Sequence, residues 1–136
     1  MSNIKRRTAT VAVINSDNKL LILRRGTTAP WMAGRYCLPG GHVEHNEDVQ
    51  YGAVRELSEE TGISFPVDEL DSISIKYNDN YSKTLWIARV SYPKVILNFE
   101  HDHYCWISYR DRSKYNLVPR LSYTLKNLYN NQLIVL

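Results

Sequence analysis

The sequence predicts one domain of the α/β (α+β) class, spanning residues 1–136. Three observations carry this expectation. The chain has 136 residues, of which 43% are hydrophobic and 23% charged, which matches one ordinary globular unit with enough apolar material for a single core. Several short β-branched or aromatic runs are separated by turn residues. One well-bounded helical segment and one C-terminal helical segment stand among those strands.

Thr8–Ile14 is compact and β-branched, Ser16-Asp17-Asn18 supplies turn chemistry, and Leu20–Leu23 follows, so the pair reads as a hairpin or adjacent strands. Arg24 and Arg25 sit at the end of the second strand. Residues 26–41 are rich in Gly and Pro with little apolar periodicity, which predicts a loop with at most a short strand at Tyr36–Leu38. A helix is expected over 47–61. Asn46 serves as its N-cap, Glu47 and Asp48 place negative charge in its first turn, and Gly62 takes the left-handed position after the last turn. Val49, Ala53, Val54 and Leu57 recur at core-facing spacing. Strand-like runs follow at Ser72–Tyr77, Thr84–Tyr92 and Tyr104–Ser108, and a final helix is expected from about Pro119 to Asn130.

Composition excludes several classes. The longest apolar runs, such as Leu20–Leu23 and Ile134–Leu136, fall far short of the roughly 20 residues needed to cross a bilayer, and the N-terminus lacks an apolar signal stretch. A soluble, cytoplasmic protein with no membrane partner is expected. Cys37 and Cys105 form no CxxC pair and no His stands at zinc-ligand spacing, so both are read as reduced, buried thiols. The net charge is only +3 but sharply segregated: residues 1–35 carry +6, residues 36–60 carry −5, and residues 61–136 carry +2. The Lys5-Arg6-Arg7 run reads as a solvated terminus.

The acidic segment holds the chemistry. Glu59 and Glu60 lie three and four places after Glu56, which puts all three carboxylates on one helical face within about 100° of arc. Such like charges repel, and a divalent cation would turn repulsion into binding. Oxygen-only ligands suit Mg²⁺ or Mn²⁺ better than zinc or copper.

These residues also form a known pattern: Gly41, Glu47, Arg55, Glu56, Leu57, Glu59, Glu60, Gly62 and Ile63 occupy every position of the Nudix box. Its seven fixed identities have a chance probability on the order of 10⁻⁹ to 10⁻⁸ per start position. With the lead-in Leu38-Pro39-Gly40-Gly41, the likeness runs from about Val11 to Ile63. The chain therefore resembles the Nudix hydrolase family. That resemblance implies a mixed β-sheet sandwiched between helices, with the box as a loop-helix-loop unit. It also implies Mg²⁺- or Mn²⁺-dependent hydrolysis of a diphosphate linked to another group.

Residue roles follow from the same resemblance. It implies metal ligation by the carbonyl of Gly40 and by Glu56, Glu59 and Glu60, with most weight on Glu56 and Glu60. Arg55 resembles the arginine that orients a helix glutamate, and Glu47 its acidic partner, although Glu47 alone reads equally as a helix-dipole partner. The general base is left among Glu56, Glu59 and a loop carboxylate, Glu100, in a stretch that resembles the acidic segment before a Trp-bearing strand. His42, His45, His101 and His103 are read as bland. Arg24, Arg25 and Arg35 flank the expected cleft and are assigned to substrate phosphate, Arg25 first. Trp31, Tyr77 and Tyr81 are in plausible places to stack on a nucleobase.

The expected substrate is a small nucleotide: a normal or oxidised nucleoside triphosphate, a nucleotide sugar such as ADP-ribose, or a dinucleoside polyphosphate. The protein is expected as a monomer or homodimer. Two alternatives stand beside this. The basic N-terminal third fits an RNA 5′ end, and a nucleotide-sensing module without catalysis is the other, although the intact box argues against it.

Overall fold

The computed structural model describes residues 7–136. Among these residues seven strands are present: β1 (Thr8–Ile14), β2 (Leu20–Arg25), β3 (Tyr36–Cys37), β4 (Gly40–His42), β5 (Asp71–Asn78), β6 (Tyr81–Arg89) and β7 (His101–Ile107). Two α-helices, α1 (Val49–Thr61) and α2 (Leu121–Asn130), complete the framework with two short 3₁₀ turns at Val67–Glu69 and Tyr109–Lys114. The sheet is mixed, as expected. Its path runs β3-β2-β1-β6-β5, with β4 added to β1 and β7 to β2.

β1 explains the mixture. Its first residues pair antiparallel with β4, Thr10 opposite Gly40, while Val11–Ile14 pair parallel with β6. Its pairing with β2 is confined to Ile14 opposite Leu20. The turn between them is built by Asn15, whose Oδ1 accepts the N–H of Asp17 at 2.9 Å and of Lys19 at 3.1 Å, and Asn18 takes a positive φ of 57°.

Both faces of the sheet are covered. Ala12, Ile14, Leu20, Ile22, Ile75, Leu85 and Ile107 pack with Leu121, Leu125 and Leu128 of α2. Val11, Val13, Leu21, Leu23 and Ala88 pack with Ala53 and Leu57 of α1. Burial on both faces is why β1 and β2 read as continuous apolar runs and not as alternating ones. No helix of the described residues is long and apolar enough to cross a membrane.

Several boundaries differ from the sequence expectation. α1 begins at Val49 with Asp48 at its N-cap, and no side-chain bond caps it. Asn46 instead lies in a turn closed by the Glu47 N–H donating to the Glu44 carbonyl at 3.1 Å. Glu47 is therefore outside the first helical turn and free to serve another partner. Gly62 does end the helix at φ 72°, its N–H donating to the Ser58 carbonyl. β6 runs from Tyr81 to Arg89, three residues earlier than expected, because Tyr81 pairs with Asn78 directly across a tight turn. β7 starts at His101, where it meets Arg25 of β2. α2 starts at Leu121 because Arg120 holds a left-handed φ of 72°. Cys37 is buried but Cys105 is only half-buried, and both are free.

Candidate active site

The box loop is organised by two arginines. Arg7 donates from Nη2 to the carbonyls of Glu44, His45 and Glu47, so it braces this loop and is not a solvated terminal charge; Lys5 and Arg6 lie outside the described residues. Arg55, on α1, forks onto Glu47: Nε to Oε2 at 2.8 Å and Nη2 to Oε1 at 3.0 Å. Its Nη2 also reaches the His42 carbonyl at 3.0 Å, and Nη1 stands 3.2 Å from both Glu56 Oε1 and Glu59 Oε1. This bidentate hydrogen bond holds the Glu47 carboxyl down at about 2, with the Glu44 N–H as the next cause.

The three helix carboxylates share a face but not an environment. Glu60 is buried, with a relative exposure of 4%, because it continues the core-facing row of Ala53 and Leu57. The Glu56 side chain is 15% exposed and that of Glu59 is 54% exposed. Burial pushes the Glu60 carboxyl up to about 8, and the charges of Glu56 and Glu100 add to the rise; the Gly40 N–H opposes it, donating to Oε1 at 2.8 Å, as does the Arg25 charge. Glu56 is raised as well, chiefly by burial. In both, burial outweighs the nearby cation, Arg55 for Glu56 and Arg25 for Glu60.

Two glycines make this packing possible. A Cβ on Gly41 would stand 2.6 Å from the Glu56 carboxyl carbon and 2.7 Å from each of its oxygens. Gly40 adopts φ 154°, and a Cβ there would collide with the Ala9 carbonyl at 2.2 Å. The seat that Gly41 leaves for a carboxylate, together with an oxygen-only donor set, fits a hard divalent cation in its chemistry. Among the described residues no three His, Cys, Asp or Glu side chains converge as a preformed cation cage. Glu59 is turned toward Arg55 instead.

The remaining expected site residues divide by strand face. Arg25 lies on the α1 side of β2, where its charge acts on Glu60 and His101, and its Nε donates to the Trp31 carbonyl at 2.5 Å. Arg24 points to the other face and pairs with Asp102 at 2.6 Å. Arg35 pairs through its backbone, its carbonyl accepting the Arg25 N–H at 2.8 Å, and its side chain is half-exposed. Glu100 is exposed on the loop before β7, its carbonyl accepting the Gly26 N–H at 3.0 Å, and its charge is felt by both Glu56 and Glu60. His101 is buried against Cys37, Nε2 to Sγ 3.6 Å, and its Nδ1 has no hydrogen-bond partner among the described residues.

A pocket of about 270 Å³ opens beside the box. Trp31, Tyr77 and Tyr81 all line it, together with Thr10, Lys83 and Arg120. Thr10 is the register partner of Gly40, whose N–H holds Glu60, so the pocket meets the start of the box at that pair, on the α2 face of the sheet. Lys83 and Arg120 are absent from the sequence expectation. Lys83 carries only the signal of a cation within an apolar strand pattern, and Arg120 carries none, since nothing local marks a left-handed arginine.

A family model described as NUDIX domain matches residues 4–128. The chain belongs to the Nudix family. Among curated Nudix relatives, the MutT-like protein of Streptomyces ambofaciens is 41% identical over 61 residues, 45% of this chain and 36% of that protein. The ADP-ribose pyrophosphatase of Methanocaldococcus jannaschii is 43% identical over 51 residues, 38% of this chain and 29% of that protein. The matched stretches thus span about a third of these relatives' own length. The solved MutT protein of Methanosarcina mazei Go1 shares the Nudix fold, with a TM-score of 0.73 at 22% identity over 92% of this chain and 93% of that one.

Proposed function

We propose that this Nudix chain is a Mg²⁺- or Mn²⁺-dependent hydrolase that cleaves a diphosphate bond in a small nucleoside diphosphate derivative. The observation that carries the reading is the seating of two part-buried carboxylates, Glu56 against Gly41 and Glu60 on the Gly40 N–H, with the Arg25 charge acting on Glu60. A relative named as an ADP-ribose pyrophosphatase supports the substrate class.

In this reading Glu56, Glu59, Glu60 and the Gly40 carbonyl would hold the cation. When bound, the cation neutralises diphosphate charge and acidifies a water. Arg25 holds a phosphate oxygen by a charge-assisted hydrogen bond. Arg55, locked on Glu47, fixes the orientation of Glu56. The water oxygen bonds to phosphorus, the bridging P–O bond breaks, and Glu59 or Glu100 takes the water's proton. The electron pair of the broken bond leaves with the departing phosphate.

Three of the seven bases in residues 1–35 are engaged within the fold, Arg7 with three carbonyls, Arg24 with Asp102 and Arg25 with Trp31, and the RNA 5′-end reading stands as the alternative. A screen of nucleoside diphosphate derivatives with Mg²⁺ or Mn²⁺, both products being identified, tests the proposal. Glu60→Gln keeps an acceptor for the Gly40 N–H, so the fold should survive. Turnover should fall at least roughly 100-fold, the upper end of what losing a ligand's supporting partner costs. Near-wild-type turnover in that variant would refute the metal assignment.

A further inference from the structure

The pocket beside the box has an unusual lining for its size. Its volume of about 270 Å³ lies just below the roughly 300–1,000 Å³ of ordinary ligand sites, room for a base-sized ring and not for a whole nucleotide. One wall is a layered set of π faces and a guanidinium. Tyr77 and Tyr81 stack with centroids 5.5 Å apart at 27°, and the Arg120 guanidinium carbon stands 5.3 Å and 5.2 Å from their centroids. Arg120 is held there by a left-handed φ of 72°, sparsely populated for a residue with a side chain.

The pocket's polar chemistry is one-sided. Among the described residues two cations, Lys83 and Arg120, line it, and no Asp or Glu does. Among the described residues the Lys83 Nζ donates one bond, to Thr10 Oγ1 at 3.0 Å, so two of its three N–H donors can serve a ligand. None of the ion pairs among the described residues includes Lys83 or Arg120. The Tyr77 hydroxyl donates to Thr124 Oγ1 at 3.1 Å, whose own proton goes to the Arg120 carbonyl. Lys83 is partly withdrawn from water: burial, then the Arg120 charge, lower its pKa.

The geometry points to Lys83 and Arg120 as specificity-determining residues that select a nucleobase with a ring carbonyl, guanine or uracil, over one with an exocyclic amine at the same place, adenine or cytosine. A flat ring stacks on the aromatic wall whatever its identity. The choice is made at its edge. A carbonyl oxygen, with the neighbouring N7 in guanine, accepts from a lysine or arginine donor, whereas the amine of adenine turns its hydrogens toward the cation and leaves the donor unpaired. This inference rests on the nucleotide reading above and deepens it.

Binding of mononucleotides tests it without requiring turnover. Dissociation constants of GMP, UMP, AMP and CMP are measured by calorimetry for the wild-type chain. GMP should bind about tenfold or more tighter than AMP, and UMP than CMP; a smaller ratio in either pair overturns the inference, and this arm needs no variant. Lys83→Met should bring the GMP to AMP ratio to near unity by weakening GMP, and a retained ratio in a folded variant also overturns it. Selective binding without hydrolysis would refute the proposed reaction and leave this inference standing; hydrolysis without base preference would do the reverse.

Discussion

Gly41 shows how a single residue's missing atoms shape the site. Its Cβ position is occupied by the Glu56 carboxylate, so Gly41→Ala must push a flexible side-chain end and not backbone. The melting temperature should change little while kcat falls about 100-fold, the scale of a roughly 1 Å misplacement; unchanged kcat would dismiss the seat. His101 makes a different prediction. Burial first, then the Arg25 charge, lower its pKa from 6.5 to about 4, so the folded state keeps it neutral. Between those values the unfolded chain binds more protons than the native one. Stability contributed at neutral pH is therefore lost as pH falls from 6.5 and levels off below about 4. Denaturation curves for wild type and His101→Leu across that window should differ in slope, the variant being flatter; parallel curves would remove His101 as the cause.

At the scale of the element, α1 is both core and site. Leu57 and Ala53 bury against the sheet, and the same helical phase carries Glu60 inward, Glu56 to the rim and Glu59 to solvent. The helix is tied to the preceding loop by Arg55, whose fork spans Glu47 and the His42 carbonyl while Nη1 steadies Glu56. A lysine retains the charge but not the fork. Arg55→Lys should lower kcat about 10- to 100-fold with KM less affected, because the lost element orients a carboxylate and does not bind the nucleotide. A change confined to KM would place Arg55 on the substrate instead. Gly52 belongs to the same arrangement: a Cβ there would approach Val43 Cγ2 and Glu47 Oε1 to 3.0 Å, which is why a helix interior tolerates a residue that costs about 1 kcal/mol in propensity.

Across the whole molecule, one sheet separates two apolar layers, α1 on one side and α2 on the other. Leu57 and Leu125 are both fully buried and lie in different layers. Each mutation to Ala should cost about 2–5 kcal/mol. Because no buried residue belongs to both clusters and only Val118, half-buried, packs against each, the double mutant should equal the sum within about 0.5 kcal/mol. Urea denaturation of the two single mutants and the double mutant measures this. A large coupling energy would show that the layers communicate through the sheet.

The sequence by itself determined the fold class, the strand-rich order, the end of α1 at Gly62 and the metal-suited acid set, because each rests on local periodicity or on residues within one 23-residue box, 41–63. It was also enough to place Trp31, Tyr77 and Tyr81 among plausible stacking residues, though nothing local distinguished them from the other tyrosines. Tertiary structure decided what needed distant chain segments to meet. It moved the start of α1 to Val49, since the turn at Glu44–Glu47 and the grip of Arg55 claim Glu47. It split Arg24 from Arg25 through the alternation of β2, sending one to Asp102 and the other toward Glu60. It brought Lys83 and Arg120, 37 positions apart in the chain, into one aromatic pocket next to Gly40. Charge and period are written along a chain, but desolvation and edge-to-edge contact exist only once it has folded, and those are what raise Glu60 and line the pocket with donors.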